Sequence, residues 1–208
     1  MKHVLKYLSC IRVSCLVIIW SFLEACSPSC APPEMFFEVF FQINPNVRTY
    51  NIGDTLWLQT QFSSFMKDEK GGAVVDFSNA ENFGVDVGFL LLNPETKTRP
   101  SADSFTFVEK IGSITIKSES SKPTLRRAYF AENNRLYELK IGIITKEKGI
   151  FTIGLNYSPN VKRKNAGKCD AYARVNYKYQ VANLHFDLYQ QFNPQALNSQ
   201  NFYSFIVE

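Results

Sequence analysis

In the segment TLWLQTQF (55–62), Leu56, Leu58, Thr60 and Phe62 alternate with Trp57, Gln59 and Gln61. A period of two puts the first set on one side of an extended chain and the second on the other, which predicts a strand with one buried face. The segment is entered at Gly53-Asp54. Glycine reaches turn angles that other residues resist, and an aspartate side chain can bond a turn's own amides. Short apolar runs ended by turn residues recur along the rest of the chain. MFFEVFFQI (35–43) stops at Asn44-Pro45, AVVDF covers 73–77, and FGVDVGFLLL (83–92) stops at Asn93-Pro94. In the last of these, Val85, Val87 and Phe89 share one face and Asp86 lies opposite. SFTFVEKIGSITIK (104–117) reads as a bent strand or a hairpin about Gly112. TLRRAYFAENNRLYELKIGII (124–144) reads as a hairpin about ENNR, because Asn tolerates the left-handed geometry of tight turns. GIFTIGLNY (149–157) and NFYSFIVE (201–208) are further strands. Val181, Leu184, His185, Leu188, Tyr189 and Phe192 have helical spacing, which predicts a short helix over 180–192.

Eight to ten short strands at this spacing predict an all-β antiparallel sandwich, formed by one domain over 35–208. The 18 Phe and 10 Tyr among 208 residues agree, since aromatics favour strands and supply a core large enough for one domain. Of the net charge of +4, Lys2, Lys6 and Arg12 against Glu24 account for +2, leaving only +2 on the body. A near-neutral body gives no electrostatic reason to expect nucleic acid.

Lys2, Lys6 and Arg12 precede the uncharged run VSCLVIIWSFL, residues 13–23. Eleven residues are too few to span a bilayer, which takes about 20, but suit the apolar region of an export signal. LEAC (23–26) resembles the lipobox of bacterial lipoproteins at Leu23, Ala25 and Cys26 and departs from it at Glu24. The resemblance implies a signal peptide over 1–25 and a lipid anchor on the Cys26 sulfur; cleavage without lipid is the alternative. SPSCAPPEM follows Cys26, and a Pro-rich tether over 26–34 would hold the domain about 25–30 Å from the bilayer.

Two further segments carry a fold resemblance. IGDTLWL resembles the turn into an early strand of immunoglobulin-like sandwiches. KEKGIFTIGL is similar to their tyrosine corner, with Glu147, Gly149 and Phe151 at the matching positions and Phe in place of the corner Tyr. Signal, tether and sandwich together resemble the envelope lipoproteins of Gram-negative bacteria. That implies a place in the outer membrane or at the cell surface; without lipid, the protein would be periplasmic or secreted.

Cys10 and Cys15 fall within the signal, so Cys30 and Cys169 remain for the exported body. In an oxidising compartment the two can form a disulfide; the alternative is a buried Cys169 and an unpaired Cys30. No C-x-x-C, P-loop or G-x-G-x-x-G occurs. His185 is the only histidine outside the signal, so Cys169–His185 is the only thiol–imidazole pair open to nucleophilic catalysis. Neither a zinc site nor any other cofactor is expected. Asp68 and Glu69 beside Gly71-Gly72 read as a solvated turn, with a calcium loop as the alternative.

These features favour a non-enzymatic binding or structural role towards a protein partner or an extracellular polymer. A carbohydrate-binding module is the first alternative. Trp57 is its first candidate ring; the other candidate ligand-binding residues are Lys162, Arg163 and Lys164 with Tyr157 and Tyr172, a basic loop with aromatic neighbours that include Tyr177. A small hydrolase is the second alternative. It would use Asp76, Glu81 and Asp86 as paired carboxylates, although the strands that hold them read as turning their acids to water.

Overall fold

The computed structural model describes residues 35–93, 97–116, 125–156, 158–163, 173–181, 185–195 and 200–208. The signal (1–25), the tether (26–34), Cys26, Cys30, Tyr157, Lys164, Cys169 and Tyr172 lie outside the described residues. In chain order the elements are β1 (Met35–Asn44), β2 (Thr49–Tyr50), β3 (Thr55–Ser63), β4 (Phe65–Lys67), β5 (Val74–Asp76), β6 (Gly84–Asn93), β7 (Lys97–Pro100) and β8 (Phe105–Ile111). They continue as β9 (Ser113–Ile116), β10 (Leu125–Tyr129), β11 (Ala131–Asn133), β12 (Leu136–Thr145), β13 (Gly149–Asn156), β14 (Ser158–Val161), β15 (Ala173–Tyr179), α1 (Phe186–Phe192) and β16 (Phe202–Val207).

The first sheet runs β12-β3-β1-β15-β14, with β11 and β8 sharing the outer edge of β12. The second runs β2-β16-β13-β6, with β10 and β7 sharing the far edge of β6 and β9 outside β10. β4 and β5 form a separate ribbon. The chain is an all-β sandwich, as its alternation predicts. Most ladders are antiparallel, but β1 runs parallel to β15 and β2 parallel to β16. Each parallel pair joins one end of the chain to the other, so no hairpin dictates its direction.

Inward residues of both sheets make one core. Phe37, Phe41, Leu56, Leu58, Leu139 and Ile141 of the first sheet meet Val85, Val87, Phe89, Phe151 and Phe205 of the second. Tyr177 and Tyr179 on β15 carry their hydroxyls across the core. They donate to the Gly84 and Ile153 carbonyls of the second sheet at 3.0 and 3.3 Å, so neither polar tip is buried without a partner. Burial pushes the Tyr179 phenol up.

Gly112 separates two strands that belong to different sheets, β8 and β9, so the segment is a corner that passes from one layer to the other. Its φ is +78°, and a Cβ there would lie 2.4 Å from the Tyr129 carbonyl oxygen. Only glycine fits. The chain crosses back at Phe130, between β10 and β11. The turn between β11 and β12 places Asn134 and Arg135 at positive φ, as ENNR predicts. The helix is shorter than expected: Val181 is exposed outside it, and His185 sits immediately before it at φ +62°.

Candidate functional site

Strand register, rather than any single motif, builds the most distinctive surface. Because β1, β3 and β12 bury Val39, Phe41, Leu58, Leu139 and Ile141, their alternate residues point outward from the first sheet. In-register pairing lines these up as rows across the strands. The central row runs Ile111, Lys140, Gln59 and Gln42, with Gln180 next, held beside β1 where its amide donates to the Phe41 carbonyl at 2.8 Å. One row to the side lie Val108, Gly142, Trp57 and Asn44. On the other side lie Glu138 and Gln61, and beyond them Phe40 and Lys178.

The amides of the central row are linked. Gln59 Nε2 donates to Gln42 Oε1 at 3.5 Å, and Gln42 Nε2 donates to Gln180 Oε1. Gln61 Nε2 donates to Glu138 Oε1 at 2.7 Å. The charges are also engaged. Lys178 pairs with Glu38, and Lys140 Nζ lies 5.4 Å from the centre of the Trp57 ring. Trp57 is half-buried. It rests on Gly142, where a Cβ would come within 3.1 Å of the indole. Phe40 is 47 % exposed, unusual for a phenylalanine in mid-strand.

The other candidate residues are elsewhere. Lys162 follows β14, and its carbonyl accepts from the Glu81 amide at 3.2 Å. Val161 is matched to Ala173, which is matched to Met35 at the start of β1, whereas Trp57 is matched to Asn44 at its end. Nine residues of strand, roughly 30 Å, separate the two ends. Trp57 and the pair Lys162–Arg163 therefore do not form one site. Tyr177, a neighbour of that basic loop in sequence, is fully buried.

Asp86 and Asp76 are each held by partners of their own. Asp86 does not face water as its alternation suggests; it is buried beside Arg127, 2.9 Å away on the neighbouring strand. Asp76 ends β5 and accepts from the Ser78 amide at 2.8 Å. Bonds from Ser78 hold its carboxyl below the usual range, helped by the cations of Arg135 and Arg163. The 68–72 turn is not simply solvated either. Asp68 is buried and accepts from the Phe36 and Gly71 amides at 2.9 and 2.6 Å, bonds that lower its pKa. No group of three or more metal-ligating side chains occurs among the described residues.

His185 packs against Tyr203, with ring centres 6.1 Å apart. Burial and the neighbouring Arg48 cation lower its pKa. Arg48 is itself bound to Asp187 of α1 at 2.6 Å. The Gln row is the surface feature that sequence reasoning misses. Gln59 and Gln61 are visible there as the outward set of one strand, but their neighbours Gln42, Lys140 and Gln180 become neighbours only through pairing.

No protein-family model matches the chain, and no curated protein matches it significantly. Among solved structures it is similar to the human F-spondin reeler domain, at 7 % identity and a TM-score of 0.39 over 87 % of this chain and 96 % of that one. It is similar to the Reelin-N domain of F-spondin at 7 % identity and a TM-score of 0.36, over 86 % and 91 %. Likenesses at this level carry no information about ligand or activity.

Proposed function

We propose that the chain is a non-enzymatic binding module of the bacterial envelope, carried on lipid at Cys26, which offers the outer face of its first sheet to an extracellular polymer or a protein partner. The immunoglobulin-like character suggested by IGDTLWL and KEKGIFTIGL belongs to the same reading. The observation that carries it is the contrast between that face, with Phe40, Trp57 and the row of amides at the surface, and the acids, which are taken up by Arg127 and by backbone amides. A surface of rings and amides suits recognition. A hydrolase would need two carboxylates aimed into one cleft, and Asp86 is already committed to an ion pair.

The anchor is tested by the intact mass of the membrane-extracted protein beside a Cys26→Ser variant, without reductant. We expect a chain beginning at residue 26 with added acyl mass, absent from the variant. The same spectrum after reduction and alkylation reads whether Cys30 and Cys169 are bridged. An unlipidated chain in the soluble fraction would refute the anchor.

A further inference from the structure

We infer that the outer face of the first sheet binds an uncharged, hydroxyl-rich polysaccharide, laid across the strands along the row Lys140, Gln59, Gln42 and Gln180. This rests on the reading of that face as the binding surface and names the class of ligand it takes.

Three observations converge on this ligand. The first is the row itself. Each amide has one carbonyl oxygen and two N–H donors, and the links Gln59 to Gln42 to Gln180 use only part of that capacity. A relay running in one direction leaves the Gln59 oxygen as an acceptor at one end and the Gln180 NH₂ as a donor at the other. Paired hydroxyls, each both donor and acceptor, match such a row. At the neighbouring strand spacing of about 4.8 Å, four strands set its side chains over roughly 14 Å.

The second is the flanks. Trp57 and Phe40 stand on opposite sides of the amide row, about 13 Å apart along the strand direction, and both are reached by solvent. Rings bordering a polar track offer apolar faces to the C–H side of a sugar while the amides take its hydroxyls. A shallow depression of about 470 Å³, lined by Phe40, Gln42, Gln59, Gln61, Lys140 and Gln180, lies over the row.

The third is charge. Around the row, Glu38, Lys178, Glu138 and Lys140 sum to zero, and each is engaged: Lys178 with Glu38, Glu138 with Gln61, Lys140 with Trp57; Arg174, farther along the same face, lies over the Phe36 ring. Over the row a polyanion would meet no excess of cations, and a polycation no excess of acids. Nucleic acids and acidic glycans bind through just such an excess, so this face selects a neutral polymer.

The test is native electrophoresis of the detergent-extracted, full-length protein through gels containing dextran, laminarin or xyloglucan, with alginate as the anionic control. We expect at least one neutral glycan to retard the protein equally in low and high salt. Trp57→Ala and the double variant Gln42→Ala/Gln59→Ala should each weaken retardation about tenfold, the scale of one ring contact or one or two hydrogen bonds. The glutamines are at the surface, so the double variant stays folded and decides the matter even if Trp57→Ala does not. No retardation by any neutral glycan would overturn the inference. So would retardation by alginate alone that salt abolishes, or neutral-glycan binding that the glutamine variant leaves unchanged. The anchor is read separately, by mass: a lipidated protein that binds no glycan refutes this inference alone, and an unlipidated one that binds refutes the anchor alone.

Discussion

The outward faces of the two sheets use the same alternation to opposite ends. On the second sheet the outward positions are apolar or small: Leu92, Ile150 and Ile206 form one row, and Leu90 lies beside Thr152 in the next. Gly154 lies opposite Gly88 on one side and Phe202 on the other, and Thr152 lies opposite Ser204. The gap over Gly154 is filled by the Phe202 ring, which a Cβ there would meet at 3.0 Å. Tyr189 of α1 stacks on Phe202 at 5.2 Å, and the Arg48–Asp187 pair holds the helix from its other side. Beneath this cover the Thr152 and Ser204 hydroxyls bond to each other at 2.8 Å, both fully out of water. On the first sheet the central outward row is long and polar: Gln42, Gln59 and Lys140, flanked by Gln61, stand where the second sheet has Leu, Ile, Gly and small hydroxyls. Long polar side chains leave no trough for a helix and need no cover. A face lined with aliphatic side chains, glycine and small hydroxyls is built to be packed on; a face lined with amides is built to meet solvent or ligand.

Substitutions can break this contrast, beginning where the loss is largest. Phe205→Ala, under the covered face and packed on Phe151 at 5.9 Å, should cost about 3–5 kcal/mol in denaturant unfolding. Phe40→Ala, the same change on the open face, should stay within about 0.5 kcal/mol; a loss as large as that of Phe205→Ala would mean the face is covered. Thr152→Val should cost about 1–3 kcal/mol, because it strands the buried Ser204 hydroxyl.

A pH-dependent effect should come next. Two backbone N–H bonds lower the Asp68 pKa in the fold, so its contribution is complete above the ordinary aspartate value of about 4 and is lost as pH falls through the lowered one. Asp68→Asn should be less stable than the parent at neutral pH, and the difference should shrink below about pH 4 in acid-unfolding curves. The smallest effect on stability belongs to Gln59→Ala, within about 0.5 kcal/mol, so any change it makes in ligand binding is a property of the surface.

The sandwich was legible because period-two alternation survives wherever one face is wet, as in TLWLQTQF. It blurs in GFLLL and GIFTIGL, whose strands β6 and β13 bury residues on both faces. There the alternation of Asp86 suggested an exposed acid, while the pairing of β6 with β10 delivered Arg127 to neutralise it. Gly112 was legible as a break but not as a passage between layers, since that depends on which strands receive β8 and β9. Of the candidate site, Trp57 was visible as an outward aromatic. The row beside it was not. Gln42 and Gln180 are 138 residues apart, and only the parallel pairing of β1 with β15 makes them neighbours.

The most direct test is an NMR titration of the detergent-solubilised protein, following the side-chain amide signals of Gln42, Gln59, Gln61 and Gln180 as dextran, laminarin or xyloglucan is added. We expect one of these glycans to move the four amide pairs and the Trp57 indole signal, with Tyr189 and Phe202 unchanged. Shifts confined to α1 and β16, or no shifts with any of the three, would contradict the assignment of the open face as the ligand surface.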